Sequence, residues 1–244
     1  AHKQGLKIHA WFQTFYVGNE NIFNNPKHVL SVFPSWANVQ KRNYAADRPM
    51  PSVSEHNGYF LDPANPNVQE YLLAIISEIV TNYKVDGINI DYIRYPASLS
   101  TRFPNYVDST WGYTAYARNE FLNKYGVDPV QLTLDSPEWP KWVQYRQDKV
   151  THFVSKLKPL TQKKNLTVSA VIFPDGEESS IMKLQNWPQW AVNKYVNAFT
   201  PLILGSDEQL AYNKINNIKN VTAGNVDVYP GLFQTFAYGT PYDM

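Results

Sequence analysis

The stretch that most limits the possible folds of this chain covers residues 85–96 and reads V-D-G-I-N-I-D-Y-I-R-Y-P. Residues 87–95 have the pattern of a β-strand, with two isoleucines on one face and Asn89 and Asp91 on the other. A strand that is aliphatic on one face and polar on the other suits a closed barrel, where helices cover the aliphatic face and the polar face lines the interior. The stretch therefore favours a parallel α/β barrel.

Asp91 lies near the carboxyl end of this predicted strand, Arg94 and Tyr95 follow within the βα loop, and Pro96 ends the strand. Catalytic side chains of (β/α)8 barrels lie at that end of the strands. An adjacent cation lowers the pKa of a carboxylate, so Arg94 would hold Asp91 ionised and suited to act as nucleophile or base. The alternative is a salt bridge between Asp91 and Arg94 that only holds the loop.

Strands and helices alternate along the chain, which predicts a parallel sheet with right-handed crossovers. The predicted strands cover residues 6–12, 87–95, 166–174, 197–205 and 227–234. The predicted helices cover residues 66–83, 113–125, 141–158, 187–195 and 210–218, and long irregular segments cover 19–57 and 97–140. Five strands are evident instead of eight, so we expect one domain over residues 1–244, an α/β (β/α)8 TIM barrel that is incomplete or whose first and last units lie outside this sequence.

Composition excludes several classes of function. A net charge of +1 gives no reason to expect nucleic acid or an anionic membrane as partner, and no apolar run reaches the ~18 residues that span a bilayer. The chain has no cysteine, and its five histidines are scattered without ligand spacing, so we expect neither a metal nor a cofactor. The aromatic fraction of 15% is high, and aromatic rings pack in cores or stack on sugar rings.

Several carboxylates follow the predicted strand ends. Asp91, Asp175 and Asp207 each fall just beyond a strand, and Asp62 lies on the loop before the first long helix. Glycoside hydrolysis needs two carboxyl groups that flank one bond, and neighbouring loops at one rim of a barrel could supply them. The alternative for Asp62, Asp175 and Asp207 is a local role as a turn residue or a helix N-cap.

Other side chains are candidates for binding a sugar. His9 and Trp11 share a face of the first predicted strand, so both could line the barrel interior beside Asn89. Trp11, Tyr95 and Trp187 are candidates for a stacking platform. A hydrogen-bonded interior position for His9 and core packing for Trp187 are the alternatives.

The chain resembles the glycosyl hydrolase-like family ten, a group of bacterial proteins with a (β/α)8 barrel. The resemblance rests on these segments, in order: A-H-K-Q-G-L-K-I-H-A-W-F, Y-F-L-D-P-A-N-P-N-V-Q-E-Y, V-D-G-I-N-I-D-Y-I-R-Y-P, V-S-A-V-I-F-P-D, Q-N-W-P-Q-W and V-Y-P-G-L. It implies that the sequence starts at the end of the second helix of the family's barrel, which accounts for the first two strands not being evident, and that it stops soon after the seventh strand, so the last strand is not evident either. It also implies export to the cell envelope or medium.

The same resemblance implies hydrolysis of O-glycosidic bonds in a polysaccharide or envelope glycan. It identifies Asp91 as the leading catalytic carboxylate, with Arg94 and Tyr95 beside it and Asp175 as a second candidate. The chain departs from the family at Asn197, where relatives tend to have Asp, and at L-I-L-G-S-D, where relatives often carry a tyrosine. The second departure affects the rim near Asp207, so Asp175 is preferred as the partner of Asp91.

Three functions remain open from the sequence. The first is a glycoside hydrolase with a carboxylate pair, and the second is a carbohydrate-binding barrel without catalysis. A second carboxyl group across the barrel mouth from Asp91 would favour the enzyme, whereas an Asp91 saturated by Arg94 and backbone donors would favour the binding protein. The third is metal-assisted deacetylation of a glycan, which would need clustered His and Asp ligands.

Overall fold

A parallel β-sheet is the centre of the structure, a computed structural model that describes residues 1–19, 21–203 and 207–232. The six strands of the sheet run in the order β1-β4-β5-β6-β7, with β8 also paired to β6, and β2 and β3 form a separate antiparallel pair. The strands are β1 (His9–Gln13), β2 (Tyr16–Gly18), β3 (Tyr59–Phe60), β4 (Gly87–Asp91), β5 (Thr167–Ile172), β6 (Ala198–Ile203), β7 (Asp227–Val228) and β8 (Gly231–Leu232).

The strand register sets which side chains meet at the carboxyl end of the sheet. Trp11 of β1 lies beside Asn89 of β4, and Gln13 lies beside Asp91. On the other face, the isoleucines of β4 belong to the main hydrophobic core. We call the face of Trp11, Asn89 and Asp91 the inner face.

The predicted strands are confirmed in position, but several of their ends differ. β1 begins at His9 instead of Leu6, and the ends of β4 and of the last strand are also wrong. β4 stops at Asp91 instead of continuing to Tyr95, because Tyr92 adopts a left-handed φ of 47°. The last predicted strand is divided into β7 and β8, which pair with successive parts of β6. The predicted residues 204–205 and 233–234 lie outside the described residues.

Eight α-helices lie among the described residues, with short 3₁₀ turns between them. They are α1 (Val29–Val32), α2 (Pro66–Asn82), α3 (Tyr106–Ser109), α4 (Ala115–Tyr125), α5 (Trp139–Ser155), α6 (Leu157–Gln162), α7 (Trp187–Val192) and α8 (Glu208–Val221). In the part of the chain that the structure describes, no helix is both long and apolar enough to cross a bilayer.

The start of α2 follows from local chemistry. The side chain of Asn65 accepts a hydrogen bond from the backbone N–H of Asn67, and Pro66 occupies the first helical position, where no backbone donor is needed. α4 ends at Gly126, which takes the left-handed conformation that glycine adopts without strain. These helix ends were predicted correctly because adjacent residues determine them.

The two long irregular segments are more ordered than their sequences indicate. Residues 19–57 contain α1 and several 3₁₀ turns, and the β2–β3 pair joins the two ends of this segment. Residues 97–140 contain α4, which confirms the helix predicted there, and also α3, and they contribute to a second cluster of buried aromatic side chains. β2 was not predicted, because three residues within an aperiodic stretch give no pattern.

Candidate active site

Asp91 is held at the carboxyl end of β4 by two neutral donors. The indole Nε1–H of Trp11 donates to its Oδ2 over 3.0 Å, and the backbone N–H of Tyr92 donates to its Oδ1 over 2.7 Å. The left-handed turn at Tyr92 ends the strand directly after Asp91. The carboxylate is therefore fixed in orientation and remains partly open to solvent.

Trp11 belongs to the strand next to Asp91, and its side chain is 67% exposed. The register of β1 and β4 places it on the inner face, as its alternation in the sequence predicted. Its hydrogen bond to Asp91 was not predicted. The indole can thus orient the carboxylate with its edge while its ring remains accessible.

Arg94 binds Glu55, and the predicted salt bridge between Arg94 and Asp91 is wrong. The guanidinium donates two hydrogen bonds to the Glu55 carboxylate, over 2.7 and 3.1 Å, and these side chains are only 6% and 12% exposed. Early termination of β4 changes the direction of the chain between Asp91 and Arg94. Sequence analysis missed Glu55, which lies in an aperiodic segment 39 positions away.

The Glu55–Arg94 pair is enclosed by aromatic rings. The guanidinium carbon lies 4.9 Å from the ring centre of Tyr92, 5.3 Å from that of Phe173 and 5.7 Å from that of Phe60. Burial raises the pKa of Glu55, but the charge and hydrogen bonds of Arg94 outweigh burial, and the resulting pKa is below its usual range. The pair joins residues 53–55 to the end of β4.

A second buried cation lies nearby. Lys183 donates to Glu178 over 2.8 Å, and its Nζ is 4.0 Å from the ring centre of Phe173. Burial, with the charge of Arg94, lowers the pKa of Lys183. Arg94 and Lys183 therefore both have carboxylate partners.

Asp175 and Asp207 follow β5 and β6 and have different surroundings. Asp175 is 50% exposed and accepts a hydrogen bond from Lys214 over 3.0 Å. Asp207 caps α8, because its side chain accepts from the backbone N–H of Leu210 over 2.7 Å. The alternative considered for Asp207, a helix cap, is what the structure shows.

Asp62 and Tyr95 are fully buried and do not reach the mouth. The Asp62 carboxylate accepts hydrogen bonds from the Thr114 hydroxyl and the Ala64 backbone N–H. Burial raises the pKa of Asp62 from 3.8 to about 6. Burial also raises the pKa of Tyr95 well above its ordinary value, and its ring belongs to the main core. Neither side chain can touch a sugar in this conformation.

The remaining predicted side chains are divided between the inner face and other regions. Asn89 is on the inner face, where its Oδ1 accepts a hydrogen bond of 3.4 Å from Thr200. His9 is at the amino end of β1, opposite Gly87, and is therefore about 13 Å along the strand from the level of Asp91. Trp187 is a core residue that donates to the Phe173 carbonyl and packs on Phe199, so its ring has no face open to a sugar.

The structure thus brings together Asp91, Trp11 and Asn89 on the inner face. Asp175 lies beyond the neighbouring strand β5, on the same edge of the sheet. Within the described ranges, no three His, Asp or Glu side chains are grouped as a metal ion would require. This arrangement holds the Asp91 carboxylate in one orientation beside the exposed ring of Trp11.

Comparison with known proteins identifies related sequences. The sequence matches the family described as glycosyl hydrolase-like 10 over residues 1–235. Glycosyl hydrolase DigH from Escherichia coli K12 is 28% identical over 163 residues, which are 65% of this chain and 32% of that protein. An S-layer-related protein from Niallia circulans is 25% identical over an alignment of 272 positions, gaps included, which covers 95% of this chain and 16% of that protein. The chain spans about a third or less of the length of these relatives.

Solved structures with the same fold include two carbohydrate-active proteins. The glycoside hydrolase domain of PgaB (BpsB) from Bordetella bronchiseptica has a TM-score of 0.54 and 14% identity, covering 91% of this chain and 58% of that one. A cycloisomaltooligosaccharide glucanotransferase from Paenibacillus has a TM-score of 0.53 and 15% identity, covering 94% of this chain and 27% of that one. The predicted fold class, an incomplete TIM barrel of the α/β class, is confirmed.

Burial of Asp62 predicts a pH dependence of stability. Because the folded pKa is about 6 and the ordinary value is 3.8, folding favours the protonated form, and stability is lost as the pH rises through this range. A difference of about two pKa units corresponds to roughly 3 kcal/mol. We expect Asp62→Asn to reduce the loss in unfolding free energy between pH 4 and pH 7 by about this amount, measured by urea denaturation.

Asp135→Asn is the control for the Asp62 variant, because Asp135 is exposed. It should leave the pH dependence unchanged. An Asp62→Asn protein with the wild-type dependence would show that Asp62 does not titrate on folding.

Proposed function

We propose that this chain, which belongs to the glycosyl hydrolase-like 10 family, hydrolyses O-glycosidic bonds in a polysaccharide or cell-envelope glycan. The observation that carries the proposal is the position of Asp91. Its carboxylate lies at the carboxyl end of a barrel strand, is partly exposed, and is oriented by Trp11 and by a backbone N–H. Arg94 does not neutralise it, because Arg94 is bound to Glu55.

Asp91 requires a second carboxyl group for hydrolysis. One group must protonate the leaving oxygen, and the other must attack the anomeric carbon or activate water. We keep Asp175 as the proposed partner, because it follows the strand beside β4 and its carboxylate is half exposed. Asp207 is less suited, since its carboxylate caps α8.

The order of the two roles must be revised. The sequence predicts Asp91 as the nucleophile or base because of Arg94. In the structure Asp91 has neutral donors, and Asp175 has the cation, Lys214. Arg94 therefore gives no basis for deciding which carboxylate is the acid. We propose Asp91 and Asp175 as the pair without assigning the two roles.

The inner face supports sugar binding beside Asp91. The exposed ring of Trp11 offers an apolar surface for the C–H face of a sugar, and Asn89 and Thr200 offer polar groups on the same face. Carbohydrate-active neighbours with the same fold support this partner. We also propose an extracellular or envelope location, which the name of the S-layer-related relative supports, and one barrel domain over the chain.

A carbohydrate-binding barrel without catalysis is the second candidate function. Asp175 is paired with Lys214 and Asp207 is a helix cap, so neither is an unpaired carboxylate in the described structure. Both candidate functions require glycan binding, but only the first requires hydrolysis of the glycan.

Replacing Asp91 tests the proposal. Asp91→Asn keeps the shape of the side chain but removes its charge, and we expect glycan hydrolysis to fall about a thousandfold or more. The measurement is release of reducing ends from a panel of bacterial polysaccharides and oligosaccharides, with binding of the same glycans measured in parallel.

The exposed Asp135→Asn is the matched control and should keep full activity. Wild-type binding without turnover would establish the second candidate function. Full activity of Asp91→Asn would refute the role of Asp91, and absence of both binding and turnover would refute both functions.

The hydrogen bond from Trp11 predicts a separate kinetic effect. Trp11→Phe removes the N–H donor but keeps an aromatic ring, so the orientation of Asp91 is lost while the stacking surface is largely retained. A hydrogen bond to a charged group contributes about 1.5–3 kcal/mol, so we expect kcat to fall about 10- to 100-fold with KM nearly unchanged. A rise in KM at constant kcat would show that Trp11 only stacks on the sugar.

A further inference from the structure

A cavity of about 700 Å³ lies between residues 19–57 and the β2–β3 pair. Its lining is mostly apolar, and it contains few polar groups. Its lining includes Phe23, Leu30, Ser31, Arg48, Met50 and Tyr59. Concave apolar sites of this size with a small number of polar groups are the usual form of ligand sites.

This cavity is separate from the Asp91 centre. Tyr59 and Phe60 are consecutive residues of β3, so their side chains point to opposite faces. Phe60 contacts Tyr92, next to Asp91, with ring centres 5.9 Å apart. Tyr59 contacts Phe23 instead, at 5.2 Å, and lines the cavity. The small β2–β3 sheet therefore stands between the cavity and Tyr92.

The aromatic wall of the cavity suits a sugar ring. Phe23 and Tyr59 meet edge to face, and Phe23 is 43% exposed. Leu30 is fully buried, and Met50 adds a flexible apolar contact. Rings with an exposed face contact the C–H groups of a sugar, while the hydroxyl groups of the sugar need polar partners.

Two polar groups of the residues that line the cavity lack a side-chain partner among the described residues. The Ser31 hydroxyl is buried and has no hydrogen-bond partner among the described residues. Arg48 is the single charged residue among the described ones that line the cavity, and it forms no ion pair within the part of the chain that the structure describes. A guanidinium binds a carboxylate through two parallel hydrogen bonds.

We propose that this cavity is a second carbohydrate-binding site and that it takes a carboxylated sugar. The aromatic wall contacts the sugar ring, Ser31 bonds a sugar hydroxyl, and Arg48 binds the carboxylate. The site is distinct from Asp91, so it would hold a glycan beside the catalytic centre without acting on the cleaved bond.

The neighbouring surface extends this site. A second cavity of about 430 Å³ shares Pro34, Arg48 and Pro49 with the first. Tyr44 and Tyr116 are among its lining residues. Arg48 lies where the two cavities meet, so the site accommodates an oligosaccharide with the carboxylated unit at the junction.

The test compares two probes by isothermal titration calorimetry. One is the disaccharide of glucuronate and glucose, and the other is cellobiose, its neutral counterpart. We expect the wild-type chain to bind the uronate more tightly. Arg48→Gln should raise the Kd of the uronate about tenfold, since a charge-assisted pair is lost, and should change the Kd of cellobiose less than about twofold.

Two further variants keep the result specific. Arg102→Gln removes a different exposed arginine and should leave both Kd values unchanged. Phe23→Ala should raise the Kd of both probes, because the aromatic wall contacts both. The Arg48 comparison is repeated in the Asp91→Asn protein, which we expect not to hydrolyse the probes, so loss of hydrolysis leaves the effect of Arg48→Gln on the uronate Kd unaffected.

Three results would overturn the proposal. They are a uronate Kd that Arg48→Gln leaves unchanged, absence of uronate binding at millimolar concentration, and hexanoate binding tighter than that of the uronate. The last result would identify the cavity as a site for apolar carboxylates instead of sugars.

Discussion

The buried ion pair between Glu55 and Arg94 is the interaction on which the arrangement of the mouth depends. It joins an irregular segment of 3₁₀ turns to the end of β4, and three aromatic rings surround its guanidinium. Removing one partner of such a pair leaves a buried charge, which typically costs about 3–5 kcal/mol. Because Arg94 is engaged in this way, Asp91 faces the mouth without a cation and is oriented by neutral N–H groups.

Asp91 and Trp11 meet because the register of two parallel strands fixes the position of each side chain along the strand as well as the face on which it lies. In the pairing of β1 with β4, Trp11 lies beside Asn89, two residues before Asp91 and on the same face. Its indole N–H therefore reaches the Asp91 carboxylate. The left-handed turn at Tyr92 then ends β4 and provides the second donor. The β1–β4 register and the turn at Tyr92 therefore produce an oriented and partly exposed carboxylate, which both proposed functions at Asp91 require.

Much of the fold followed from local sequence, but the contacts of the site did not. Alternation in β4 and the Asn65-Pro66 start of α2 depend on adjacent residues, and both were predicted correctly. Alternation also placed His9 and Trp11 on one face, but it does not show where the strand begins. His9 lies at the amino end of β1, away from Asp91 at the carboxyl end of β4. The partner of Arg94 lies 39 residues away in a segment without periodicity, so no sequence pattern indicated Glu55.

The central claim is that glycan chemistry takes place at Asp91. The most direct test is a crystal structure of Asp91→Asn with an oligosaccharide that the wild-type chain cleaves. We expect a sugar on the inner face, with its anomeric carbon about 3–3.5 Å from the substituted side chain and the Trp11 ring against the sugar. A glycan bound only away from the inner face, with the side chain at position 91 untouched, would contradict it.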